Sequence, residues 1–139
     1  MKKHVYGRKF SRDTGARAAL FRALVISLVE QGTIETTLPR AKAVKPLIDK
    51  AVTLAKKRTL ASRRALLSEF AHNKHVVAKL EEEAKLRFTT LSSGFTRMVR
   101  VERRLGDNAP MVRLMWSREK AETKDEASKS KTKEIENKK

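Results

Sequence analysis

The spacing of apolar residues changes near Gly94, and this change limits the chain to a fold that combines helices with a sheet. Within residues 41–55, apolar side chains recur at intervals of three and four, which is typical of one buried face of a helix. Within residues 111–116, Val112, Leu114 and Trp116 alternate with Met111, Arg113 and Met115, which is typical of a strand with one buried side. The two periods predict an α+β fold in which helices pack on a small mixed sheet.

Capping and turn residues predict the element order as helix, strand, three helices and a β-hairpin. The first helix is apolar almost all the way round and is expected in the core. Pro46 should kink or interrupt the second helix, and the run Glu81–Glu83 is expected on the exposed side of the fourth. The predicted elements are a helix from Asp13 or Thr14 to about Gln31, a strand at 33–37, helices beginning near 38, 59 and 73, and hairpin strands near 95–101 and 111–116.

Both ends of the chain lack the apolar period of a folded domain. Residues 1–12 contain five Lys and Arg residues and no Asp or Glu, which predicts an extended basic arm. Residues 119–139 are charged and of low complexity, with a single Ile and no aromatic residue, which predicts a disordered tail. A single α+β domain is therefore expected at 13–118.

The charge of the chain favours a nucleic-acid partner. The net charge is +17, and residues 1–118 account for nearly all of it, with 26 Lys and Arg against 10 Asp and Glu. Such an excess repels itself in a compact domain unless a polyanion neutralises it. The absence of Cys excludes disulfides, thiol catalysis and zinc sites built on Cys. The longest apolar run, residues 18–29, is too short and broken to span a membrane, so a cytoplasmic setting is expected.

The arm and the hairpin carry the strongest nucleic-acid signals. Aromatic residues alternate with cations in the arm, an arrangement in which cations contact phosphates and aromatic rings stack on bases. Arginines cluster on and beside the hairpin, and their planar groups suit phosphate oxygens. The predicted contacts are Lys2, Lys3, His4, Tyr6, Arg8, Lys9 and Arg12 in the arm, Arg63 and Arg64 on the third helix, and Arg97, Arg100, Arg103, Arg104 and Arg113 around the hairpin.

The stretch "RRLGDNAPM" raises the question of a metal site, and its composition favours a structural turn. Calcium loops alternate oxygen ligands over about twelve positions and end in Glu, and this stretch does neither. His72 and His75 lack a third ligand in any recognisable motif, and no catalytic or cofactor-binding motif occurs. The sequence therefore predicts no metal, no cofactor and no enzyme activity, and a turn formed by Gly106, Asp107, Asn108 and Pro110.

Two stretches, Gly7–Lys57 and Ser93–Trp116, resemble the bacterial large-subunit ribosomal protein seventeen family. "IETTLPRAK" and "GDNAPM" are the most specific pieces. The resemblance implies a non-catalytic protein of the cytoplasmic ribosome, bound to large-subunit rRNA near the polypeptide exit tunnel and beside other ribosomal proteins. It also assigns rRNA contacts to Arg17 and Arg22, while Ala23 departs from the Asn that many members have.

A basic DNA-binding or nucleoid-associated protein is the alternative interpretation. Such a protein would need a recognition helix with base-reading side chains on one face, and commonly a dimer interface. Neither feature is evident in the sequence. An unrelated enzyme is the third hypothesis, and it would require a pocket with perturbed titratable groups.

Overall fold

The computed structural model describes residues 7–118, in which four helices combine with a three-stranded sheet. The second helix contacts all three strands and the other three helices, so it is the central element of the fold. This architecture confirms the predicted α+β class and element order. The elements are α1 (Thr14–Gln31), β1 (Thr33–Thr37), α2 (Leu38–Lys57), α3 (Leu60–Glu69), α4 (Lys74–Arg87), β2 (Thr96–Arg100) and β3 (Met111–Trp116).

The helix ends follow the capping residues that the sequence provides. The Asp13 carboxylate accepts a hydrogen bond from the backbone N–H of Ala16 at 2.9 Å. At the start of α4, the Asn73 side-chain oxygen accepts one from the N–H of Val76 at 3.2 Å. At the other end of α1, Gly32 has a φ of 77° and donates its N–H to the carbonyl of Leu28 at 2.8 Å. These local bonds explain why the bounds of α1 and α4 are readable from sequence.

Gly15 in the first turn of α1 and Gly32 just after its last residue should respond to alanine in opposite directions. Gly32→Ala places a Cβ on left-handed backbone and should lower the free energy of unfolding by about 1 kcal/mol. Gly15→Ala lies in the first turn, where the added Cβ meets only the Asp13 carboxylate at 3.7 Å, and should raise stability by about 0.5 kcal/mol. Urea denaturation of both variants measures the difference, and equal shifts would contradict it.

Pro46 does not interrupt α2, and of the two predicted effects, a kink or an interruption, the second is wrong. The helix continues from Leu38 to Lys57 with Pro46 inside it, and the proline ring lies on the exposed side. The opposite side carries the predicted apolar stripe into the core, which holds the helix together despite the missing N–H. One consequence is local: the carbonyl oxygen of Lys42 has lost the N–H that residue 46 of an ordinary helix would donate.

The sheet is antiparallel at both of its pairings, so the expectation of a mixed sheet is wrong. The strand order is β1-β3-β2, with Ile34 opposite Leu114 on one side and Met98 opposite Leu114 on the other. The hairpin makes β2 and β3 antiparallel, and β1 runs alongside β3 in the reverse direction. The strand that is last in sequence is therefore the central strand of the sheet.

An aromatic group lies where the helices meet the sheet. Phe88, at the end of α4, is fully buried, with its ring centroid 5.1 Å from that of Phe95 and 5.6 Å from that of Trp116. The predicted apolar face of α2 is buried, which confirms its helical period, and α4 also buries one apolar face. Their buried members are Ala41, Val44, Ile48, Ala51 and Ala55 on α2, and Val77, Leu80 and Ala84 on α4.

Two burial predictions are wrong. In α1 the buried residues are Val25, Leu28 and Val29, all in its second half, so most of its apolar surface is not enclosed by the core. Glu83 is 4% exposed rather than solvated, and its carboxylate accepts a hydrogen bond from Nε of Arg87, one turn along α4. A paired carboxylate can enter a core that would exclude an isolated one.

Candidate nucleic-acid interface

The N-terminus of α2 brings three separate parts of the chain together. Arg8 and Lys9 of the arm line the same groove as Pro39 and Lys42 of α2. On the neighbouring side, the N–H of Leu38 donates to the carbonyl of Pro110 at 3.0 Å, which fixes the end of the hairpin loop there. The arm, the start of α2 and the hairpin loop thus form one region, although the sequence separates them widely.

The described part of the arm, residues 7–12, packs against α1. Phe10 and Ser11 have φ angles of 54° and 50°, a conformation that residues other than glycine rarely adopt. The Phe10 ring packs edge-on against Phe21 with centroids 5.9 Å apart, and Arg12 donates to the Phe10 carbonyl at 3.0 Å. These contacts hold Arg8 and Lys9 against the helices.

The groove between the arm, α1 and α2 has a volume of about 680 Å³. Its apolar surface comes from Phe21, Pro39, Pro46 and Leu47, together with Ala43. Four cations, Arg8, Lys9, Arg17 and Lys42, complete the lining with Gly7, and none of these described lining residues is Asp or Glu. The N-terminus of α2 adds the partial positive charge of its helix dipole. This groove, called the arm groove below, is therefore a concave cationic surface with an apolar floor.

Several predicted arginines are held by acceptors within the chain, which limits their availability to a partner. These contacts are Arg22 Nε to the Glu69 carbonyl at 2.6 Å, Arg63 to Glu81 at 3.8 Å, Arg104 to Asp107 at 2.6 Å, and Arg113 to Glu35 at 2.6 Å. By contrast, no ion pair within residues 7–118 engages Arg8, Lys9, Arg17, Lys42, Arg97, Arg100 or Arg103. The second group is the better candidate for external phosphates.

The sheet distributes the hairpin arginines over different surfaces. Arg97 and Arg113 lie on the face of the sheet away from the helices, since Arg97 is opposite Met115 and Arg113 is opposite Val99. Arg100 belongs to the other face, at the exposed end of β2. Arg103 and Arg104 lie in the loop beyond the strands. The structure therefore separates a cluster that the sequence suggested was one patch.

The hairpin loop is shaped by a guanidinium–carboxylate pair. Arg104 donates through Nε at 3.0 Å and Nη2 at 2.6 Å to the Asp107 carboxylate, which also accepts from the N–H of Ala109. Gly106 and Asn108 take positive φ angles on either side of Asp107. These bonds lower the pKa of Asp107 to about 2, and the hydrogen bond from Arg104 has the largest effect. The same pairing raises the pKa of Arg104. Within residues 7–118, no group of three or more metal-binding side chains occurs.

Arg104→Gln should raise the pKa of Asp107 from about 2 towards its ordinary value near 3.8. The carboxylate would lose its charged partner and keep only backbone donors. The pKa of Asp107 is lower in the folded state than in the unfolded state. The pair therefore stabilises the fold above pH 3.8, and this stabilisation is lost as the pH falls towards 2. A ¹³C-carboxyl titration by NMR measures the midpoint. Arg103→Gln is the matched control and should leave it unchanged.

The remaining predicted residues lie apart from this region or outside the described part of the chain. Arg63 and Arg64 are on α3, which follows the C-terminal end of α2, about 30 Å along that helix from its start. Lys2, Lys3, His4 and Tyr6 fall outside residues 7–118. Lys42 was missed as a site residue, although the stretch "IETTLPRAK" ends on it.

Among residues 7–118, no helix is both long enough and apolar enough to cross a lipid bilayer.

Comparison with known proteins gives a consistent result. The family model described as ribosomal protein L17 matches residues 20–116. The chain is 46% identical over 107 residues to a protein of Bdellovibrio bacteriovorus, an alignment that covers 77% of this chain and 59% of that protein. It is 41% identical to a protein of Dehalococcoides mccartyi and 42% identical to one of Coprothermobacter proteolyticus, covering 82% and 85% of this chain and 97% and 100% of theirs. All three relatives carry the name "Large ribosomal subunit protein bL17".

Proposed function

Since the chain belongs to the ribosomal protein L17 family, we propose that it is a structural component of the large ribosomal subunit that binds large-subunit rRNA. It performs no catalysis in this role, and its partners are the rRNA and neighbouring ribosomal proteins. Its place is in the ribosome of the cytoplasm. The position near the polypeptide exit tunnel is supported only by the resemblance of Gly7–Lys57 and Ser93–Trp116 to the family.

The observation that carries the rRNA proposal is the arm groove, whose described lining residues include four cations and no carboxylate. Cations without local partners retain their attraction for phosphates, and their binding releases counterions from the nucleic acid. Folded RNA is recognised mainly through its shape, phosphates and 2′-hydroxyls, so a concave cationic surface suits it. The mechanism is neutralisation of phosphate charge, which stabilises the local fold of the rRNA.

The proposal is tested by sedimenting a tagged full-length chain from cell lysate through a sucrose gradient after a moderate-salt wash. Recovery in equal numbers with the large subunit supports it. Recovery in light fractions, or on DNA that nuclease removes, would instead favour a nucleoid-associated protein. Binding to purified large-subunit rRNA should also weaken steeply with salt, and a flat salt response would contradict the charge-neutralisation mechanism.

A further inference from the structure

We propose that the arm groove receives one unpaired nucleotide of the bound RNA, with its base on the apolar floor and its phosphates at the cationic rim. This inference rests on the proposed rRNA binding and specifies what the groove recognises. Cations alone would account for contacts along an RNA backbone. The floor is the feature that backbone binding leaves unexplained.

The floor has the chemistry that an extruded base requires. Phe21 is only half-buried, although it is aromatic, and Phe10 covers it edge-on rather than face to face, with the ring planes 86° apart. Pro39 and Leu47 are also half-buried beside it. Bases stack on aromatic and other flat apolar side chains, largely irrespective of base type. The volume of about 680 Å³ falls within the range of about 300–1,000 Å³ that small-ligand sites occupy.

The walls of the groove provide polar partners for the rest of a nucleotide. Arg8 and Lys9 on the arm, Arg17 on α1 and Lys42 on α2 surround the floor from three elements. Lys42 and Pro46 both line the groove, and Pro46 has no N–H to donate to the carbonyl oxygen of Lys42, so this oxygen lacks its ordinary helical donor. A ribose 2′-hydroxyl or the exocyclic amine of a base is a suitable donor for this oxygen. The groove thus combines phosphate, ribose and base contacts.

These features favour unpaired RNA over a duplex. In an A-form helix the bases are stacked inside, and side chains cannot enter its deep and narrow major groove. A duplex could therefore contact the cationic rim but leave the floor uncovered. An unpaired or bulged nucleotide can turn its base outward and cover the floor as its phosphates meet the rim.

The experiment compares two RNA probes of equal charge with the full-length chain at one salt concentration. One probe is decauridylate, and the other is a ribose-phosphate decamer without bases. Stacking of one base should make decauridylate bind about tenfold more tightly than the abasic decamer. Equal affinities, or no binding of decauridylate, would overturn the inference. A duplex with the same number of phosphates should bind no more tightly than the abasic decamer, because its bases cannot reach the floor.

Two variants locate the effect in the groove. Phe21→Leu retains an apolar side chain without an aromatic ring, and it should weaken binding of decauridylate more than binding of the abasic decamer. Lys42→Gln should weaken binding of both probes by about fivefold through loss of one phosphate contact. Lys57→Gln, an equal charge change at the far end of α2, is the control and should have little effect. Equal effects of the two lysine variants would contradict the assignment.

Failure of this inference can be distinguished from failure of the proposed function. If the chain sediments with the large subunit but does not prefer the probe with bases, rRNA binding stands and the nucleotide site is wrong. If it neither sediments with the subunit nor binds purified rRNA, the proposed function fails as well. Tighter binding of an acidic peptide than of decauridylate would assign the groove to a protein partner. The comparison of wild-type binding to the two probes remains decisive even if Phe21→Leu does not fold.

Discussion

The triple variant Arg8→Gln, Lys9→Gln, Arg17→Gln should bind large-subunit rRNA about a hundredfold more weakly than the wild type at about 0.1 M salt. All three cations line the arm groove, and no ion pair within residues 7–118 neutralises them. Each phosphate contact that is lost should lower the slope of log affinity against log salt by about 0.7 to 1. Filter binding over a series of salt concentrations measures both quantities, and the slope should fall by about 2 to 3.

A second triple variant separates local contacts from overall charge. Lys57→Gln, Arg58→Gln, Lys85→Gln removes the same total charge from exposed residues that do not line the arm groove. Long-range attraction is screened over about 10 Å at this salt concentration, so the control should lose only a few-fold in affinity. If both triple variants lose affinity equally, the chain is attracted to RNA by its overall charge and the arm groove has no special role.

Phe88→Ala should lower the free energy of unfolding by about 4 kcal/mol. The Phe88 side chain is fully buried, and its ring meets both Phe95 and Trp116 where α4 ends against the sheet. Truncation removes buried apolar surface and leaves a cavity that the flanking rings cannot fill without moving. Because domains of this size are stable by only about 5–15 kcal/mol, the loss should be plain in urea denaturation monitored by circular dichroism.

Two controls bracket the effect of Phe88→Ala. Phe88→Leu retains most of the volume and should cost about 1 to 2 kcal/mol. Leu105→Ala changes a residue that is 98% exposed at the hairpin tip, and it should alter stability by less than about 0.5 kcal/mol. A loss for Phe88→Ala no larger than that for Leu105→Ala would show that the aromatic group does not organise the core.

Sequence reasoning succeeded where the structure is decided within one turn of chain. Asp13, Gly32 and Asn73 bond to residues three or four positions away, so their caps could be predicted without knowing the fold. It failed where distant elements decide the outcome. The strand direction in the sheet depends on how β1 meets β3, and the burial of Glu83 depends on what packs over α4.

For the candidate site too, local features could be predicted from the sequence and long-range ones could not. Its charge, and the presence of aromatic residues in the arm, were readable from residues 1–12. The arm groove could not be predicted, because folding has to bring together Arg8, Phe21 and Lys42 from three different parts of the chain. Nor could the sequence tell that Arg22 and Arg113 already have acceptors within the chain.

The position of β3 at the centre of the sheet affects how the protein can fold while it is being synthesised. Ile34 pairs with Leu114, so β1 is made long before β3, the strand that it pairs with in the described sheet. The helices between these strands contact elements that are closer in sequence, so they can associate first. The sheet can form only after almost the whole domain has been synthesised. During that interval β1 and then β2 carry unpaired edges that are open to wrong partners. Among the strands of residues 7–118, the one that leaves the ribosome last, β3, is therefore the one that protects the two made before it.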